Sequence, residues 1–124
     1  MVEREVMLRM SAGLRAWQRG DVAALEPLLD PAVELLWWER GEWDCHGRDA
    51  VLACLRDRVA TGATGGELDL AEAGEDRLVV SRRGVVADGA AAGLSPATLI
   101  ALRDGKVVSM QQFQSRDQAL AALR

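Results

Sequence analysis

Within fifteen residues, the stretch Trp17-Gln18-Arg19-Gly20-Asp21-Val22-Ala23-Ala24-Leu25-Glu26-Pro27-Leu28-Leu29-Asp30-Pro31 ends one helix, starts a second and launches a strand. Gly20 has no Cβ and takes the left-handed conformation favoured just past a helix C-terminus. Asp21 is placed to accept hydrogen bonds from the free amides of the next helix. Upstream, Val6, Met10, Leu14 and Trp17 form one apolar stripe of a helix from about Val2 to Arg19, with Glu3, Arg4, Arg9 and Arg15 on its other face. Downstream, Val22, Leu25, Leu28 and Leu29 predict a shorter helix disturbed by Pro27 and stopped by Asp30-Pro31. This punctuation sets a helical lid in front of a sheet.

The run from Ala32 to Glu39 predicts a strand, with Leu36 and Trp38 on one face and Leu35 and Trp37 on the other. A loop or short return strand follows to His46, and Gly47-Arg48-Asp49 opens a helix carrying Val51, Leu55 and Val59, with Leu52 and Cys54 beside them. Residues 61–66 form a glycine-rich break. The period then changes to two, through Leu68 and Leu70, then Leu78 to Val80, then Val85 and Val86, with Gly84 marking a bulge or bend. After a soft connection at residues 88–93, a strand from Ser95 to Arg103 is joined by Asp104-Gly105 to another from Lys106 to Gln114, a strong hairpin signal. Asp117 to Leu123 predicts a brief closing helix.

The 124 residues, nearly half of them hydrophobic, suit one domain with one core and no second domain or repeat. Fifteen basic and nineteen acidic residues are mixed along the chain, leaving no basic stripe for nucleic acid. Neither a signal-peptide pattern nor a membrane-spanning apolar run is present, so a cytoplasmic protein is expected, with Cys45 and Cys54 as two thiols. Four Trp beside one Phe and no Tyr point to indole rings shaping either the core or a cavity wall.

Taken in order, Gly20-Asp21, Leu25, Leu29, Asp30-Pro31, Gly47-Arg48-Asp49-Ala50-Val51 and Asp104-Gly105-Lys106-Val107-Val108 resemble the nuclear-transport-factor-two-like superfamily in its SnoaL-like branch. The likeness spans nearly the whole chain. It implies an α+β, cystatin-like fold in which a cone-shaped, curved, mixed β-sheet wraps a long N-terminal helix, with a pocket at the open end. It also implies a homodimer through the outer sheet face, for which Trp37, Val79 and Phe113 are the candidate contacts. The superfamily includes steroid isomerases, polyketide cyclases, epoxide hydrolases and binding domains, so fold alone does not deliver function.

Steroid isomerases of this type use a carboxylate base with a Tyr and a protonated Asp as oxyanion donors. The resemblance puts Trp38, Gly13 and Thr98 at those three places, and none can fill the role. The paired Asp and bridging Arg of the epoxide hydrolases are also missing from Ser95-Pro96-Ala97-Thr98-Leu99. Glu39 beside the aromatic pair and His46 beside Cys45 are the weak candidates for proton transfer in an isomerase, cyclase or hydratase. No metal site and no cofactor is expected. By the resemblance, the pocket is lined by Trp17, Leu36, Trp38, Leu55, Thr98, Ile100, Met110, Gln112 and Gln114. That mostly apolar wall, with two amides and a hydroxyl, suits a small apolar molecule; the alternative is that the same residues fill a closed core, with the glutamines satisfying one another or water.

Overall fold

In the computed structural model, residues 3–37, 41, 44–60, 67–83 and 97–123 are described. The elements are α1 (Arg4–Gln18), β1 (Leu29–Leu36), β2 (Cys45–His46), α2 (Arg48–Ala60), β3 (Glu67–Glu72), β4 (Arg77–Arg83), β5 (Ala97–Arg103), β6 (Lys106–Phe113) and α3 (Arg116–Ala121). The expected breaks at residues 61–66 and 88–93, and Gly84 with Val85 and Val86, lie outside the described residues.

One six-stranded sheet runs in the order β2-β1-β6-β5-β4-β3. From β3 to β6 it is an antiparallel meander, β1 then pairs parallel with β6, and β2 pairs antiparallel with β1. The sheet is curved and does not close. Asp104 and Gly105, at φ 53° and 76°, make the β5–β6 turn, where a tight hairpin needs positive φ at both central positions.

Helix α1 buries Val6, Met10, Leu14 and Trp17 as its spacing predicts, and Gly13 with them. A Cβ on Gly13 would lie 2.5 Å from the Leu28 side chain, so glycine here lets the following segment lie against the helix. At the C-terminus, Gly20 (φ 100°) donates to the Trp17 carbonyl at 2.9 Å, and the Asp21 amide donates to that of Ala16 at 2.9 Å. This pair of bonds is a Schellman ending, and it satisfies carbonyls that the helix leaves open.

Two expectations for the next segment are corrected. In place of a second helix there are two 3₁₀ turns, Val22–Ala24 and Glu26–Leu28, because Pro27 interrupts the amide ladder a longer helix needs. The Asp21 side chain caps neither; its main-chain carbonyl accepts the Ala24 amide instead. Asp30-Pro31 falls within β1, in the stretch between Leu29 and Glu34 where the pairing with β6 shifts register, and Pro31 has no amide to give to a ladder.

That shift sets which β1 side chains face the helices. Val33 and Leu35 belong to the main core, and Leu35 stands beside Met110 of β6. Trp37, two residues on, continues this inward parity, and Leu36 lies on the opposite face beside Gln111. The expected facing of Leu36 and Trp37 is therefore reversed, since in Leu35-Leu36-Trp37-Trp38 both parities are apolar and the pattern alone could not choose. Across the concave face the core joins Leu78 and Val80 of β4, Ile100 and Leu102 of β5 and Val107 and Met110 of β6 to α1 and to Val51 and Leu55 of α2. Burying each such large side chain stabilises the fold by roughly 1.5–3 kcal/mol.

The convex face has its own smaller core, in which Val79, Ala97 and Leu99 pack under Ala119, with Phe113 and Leu120 beside them. Helix α3 is held there by its start, where Ser115 Oγ accepts the Gln118 amide at 3.2 Å and Gln118 Oε1 accepts the Gln114 amide at 3.0 Å. Of the three side chains expected to pair two copies, Val79 is 1% exposed, Phe113 packs in this small core and Trp37 faces the other way. The expectation of two thiols is also corrected: Cys45 and Cys54 form a disulfide joining β2 to α2. Cys45 stands opposite Leu35, so both share the inner side of the sheet, and residue 54 falls on the helix face turned toward it.

Candidate site at the open end of the cone

Cross-strand register carries the floor of the concave face through Leu78, Ile100, Met110 and Leu35, all nearly or fully buried. The next row outward runs through Val80, Thr98 and Gln112 and continues to Trp37. Polar groups begin in that row. Thr98 Oγ1 donates to Gln112 Oε1 at 3.1 Å, which fixes the carboxamide and leaves its Nε2 hydrogens without a partner among the described residues. One position further out on β4, at the inward parity of Leu78 and Val80, stands Arg82, opposite Leu68.

Helix α2 roofs this row. Val51, Leu55 and Arg58 share one face at three- and four-residue spacing, so the stripe that begins in the core ends in a guanidinium. The Arg58 guanidinium carbon lies 5.5 Å from the centroid of the Trp37 ring, within cation–π range. Burial pushes both Arg58 and Arg82 below the ordinary arginine range, and the charge of Arg82 pushes Arg58 in the same direction. Both side chains are partly buried.

Several expected lining residues form the floor or the polar row. Trp17 and Leu55 are buried and bonded to each other, the Trp17 indole Nε1 donating to the Leu55 carbonyl at 3.0 Å. Ile100 and Met110 lie in the floor, with Thr98 and Gln112 above them. Gln114 does not continue the row: β6 ends at Phe113, the Gln114 amide is taken by Gln118, and the residue is exposed. Leu36 is on the other face, and Trp38 and Glu39 lie outside the described residues.

His46 is removed from the cone. It pairs across β1–β2 with Glu34, Nδ1 to Oε2 at 2.6 Å, on the face opposite Val33 and Leu35, and its side chain is 61% exposed. Cys45, bonded to Cys54, is no thiol for it to activate. Among the described residues, no group of three or more His, Cys, Asp or Glu side chains is placed to hold a metal ion.

Trp37 was expected on the outer face, and Arg58 and Arg82 are the residues that the sequence reading passed over. Their signal was an arginine on an apolar helix stripe and another at the inward parity of a strand. A separate open groove of about 400 Å³ runs between residues 20–23 and the last turn of α2, at Arg56, Val59 and Ala60. It contains none of the side chains of the row. No described helix is long and apolar enough to cross a membrane.

No protein-family model and no curated protein matches the chain. Solved structures do. An NTF2-like protein of unknown function from Mesorhizobium loti is similar at 24% identity and a TM-score of 0.65, over 91% of this chain and 94% of that one. An uncharacterized cystatin-fold protein from Novosphingobium aromaticivorans reaches a TM-score of 0.67 at 12% identity, over 87% of this chain and 97% of that one. A de novo designed protein with a curved β-sheet, at 14% identity and a TM-score of 0.66, is covered in full, as is this chain. The fold is thus NTF2-like and cystatin-type, and a shared fold does not by itself assign an activity.

Proposed function

We propose that this chain binds a small, largely apolar molecule at the open end of its cone, above the floor of Ile100 and Met110. The observation that carries this reading is the polar row itself. A hydroxyl locked onto a carboxamide, an indole ring and two guanidinium groups stand at the edge of an apolar surface. A few oriented polar groups beside a greasy wall are the usual make-up of a small-molecule site, in which apolar burial supplies affinity and the polar atoms fix the pose. Proton transfer at His46 has no support from this arrangement, because His46 and Glu34 face the other side of the sheet.

Tryptophan emission and the thermal midpoint, followed during titration with uncharged steroids, terpenoids and polyketide-like aromatics, test the reading. Binding shifts both, and Trp37→Phe reduces the emission change while the midpoint shift persists. A panel that leaves emission and midpoint untouched overturns it.

A further inference from the structure

We propose that the Cys45–Cys54 bond is a redox latch on the rim of the cone: closed, it holds the Trp37 ring against Arg58; opened by a dithiol reductant, it releases that rim, and the cone loses affinity for its ligand. The last step rests on the small-molecule reading above, and the release of the rim does not depend on it.

The bond closes a ring of contacts. Cys54 lies one helical turn before Arg58 on α2, and the Arg58 guanidinium carbon sits 5.5 Å from the centroid of the Trp37 ring. Trp37 is held in turn from the β2 side, where Asp44 Oδ1 accepts its amide at 3.0 Å and Asp44 Oδ2 accepts the Gly41 amide at 3.3 Å. Asp44 immediately precedes Cys45, so helix, stacked pair, carboxylate and disulfide form one circuit.

Without its covalent closure the circuit has a weak side. β2 is two residues long and is the last described strand on its side of the sheet, paired to β1 at Glu34 with His46 and at Leu35 with Cys45. A strand that short holds poorly by itself, and the exposed His46–Glu34 pair adds little. Helix α2, by contrast, is packed through Val51 and Leu55 and bonded to Trp17, contacts that do not involve the cysteines. Opening the latch therefore frees β2 and the rim and leaves the core in place. Cys45 and Cys54 rest against the edge of the core and are both partly exposed, within reach of a small reductant in the folded chain.

The exchange balances. A thiolate of the dithiol attacks one sulfur and expels the other cysteine as a thiolate; the reductant's second thiol then displaces the first cysteine from the mixed disulfide. Two electrons pass to the protein, the reductant departs as its own disulfide, and its two protons end on the cysteines by way of water. Losing a cross-link that spans nine positions raises the open fraction of the rim by about tenfold or more.

The test follows the native chain oxidised, treated with dithiothreitol, and reoxidised. Reduction yields two titratable thiols with an unchanged far-UV circular dichroism spectrum. It speeds hydrogen exchange at residues 37 and 44–47 by about tenfold or more, and leaves β5 and β6 as protected as before. Tryptophan emission shifts in the native chain and much less in Trp37→Phe, and reoxidation reverses both changes. The Cys45→Ser, Cys54→Ser double variant matches the reduced chain and ignores dithiothreitol; if it does not fold, the reversible reduction decides alone. The uncharged fluorophore N-phenylnaphthylamine binds the oxidised chain about tenfold more tightly than the reduced one. A folded chain that yields no thiols to dithiothreitol, or that yields two with exchange and emission unaltered, overturns the latch. A rim that is released while the probe binds both forms equally overturns its control of binding. A probe that binds neither form overturns the small-molecule reading, and exchange and emission still decide whether the rim is latched.

Discussion

The indole Nε1 of Trp17 donates to the main-chain carbonyl of Leu55 at 3.0 Å, inside the core and across thirty-eight positions of sequence. It ties the last turn of α1 to the middle of α2, and so holds the roof helix that carries Arg58 at a fixed height above the sheet. Trp17→Phe keeps an aromatic body but leaves the carbonyl facing an apolar ring. The expected cost is about 1–3 kcal/mol, read as a lower midpoint in chemical denaturation. An unchanged midpoint would show that the bond contributes nothing.

The Cys45–Cys54 disulfide staples a two-residue edge strand to the same helix. Protein purified without reductant is expected to present no titratable thiol until it is reduced. Replacing both cysteines by serine lowers stability by about 2–3 kcal/mol, the closure entropy of a loop this short. Two free thiols in the native, unreduced protein would contradict the bond.

Asp30 gives an acid-range prediction. The Ala32 amide, donating to Oδ1 at 2.9 Å, holds the carboxyl below its ordinary value of 3.8, and Arg103, 3.6 Å from Oδ2, acts in the same direction. A carboxylate depressed in the folded state stabilises above its unfolded pKa, and that contribution disappears as pH falls through the folded value. Asp30→Asn is therefore less stable than the native chain at neutral pH, and the two thermal midpoints converge as the acid range is crossed. A gap that stays constant from neutral pH to strong acid would rule this out.

His46→Ala tests the facing of the sheet. With His46 paired to Glu34 on the side away from the cone, the substitution leaves the ligand-induced change in tryptophan emission as it is in the native chain and shifts stability by less than about 1 kcal/mol, as for other exposed pairs. A tenfold loss of ligand affinity would place His46 in the site after all.

Much of the architecture was legible because it is written in short-range terms. The stripe Val6, Met10, Leu14 and Trp17 could only be one buried helix face, and Asp104-Gly105 between two alternating runs could only be a hairpin. The facing of β1 was not legible, because Leu35 to Trp38 is apolar at both parities and the choice depends on a register shift around Pro31 set by pairing with β6. Gln114 was read as strand because nothing within the strand pattern announces that Gln118 will take its amide. The arginines of the site were available as exceptions to their own patterns. Arg82 follows Leu78 and Val80 at period two, and Arg58 follows Val51 and Leu55 along a helix, but neither exception was singled out.

The outermost described strand on the far side, β3, carries a row of main-chain donors and acceptors that no other described strand takes up, and Glu67, Asp69 and Glu72 are set along it. A second molecule adding itself strand to strand would have to bring its own acids against these, of which Asp69 is set against Arg116. Like charges meeting across a newly formed ladder disfavour it, so this border resists fibre-like growth by electrostatic means while the opposite border is kept short and cross-linked.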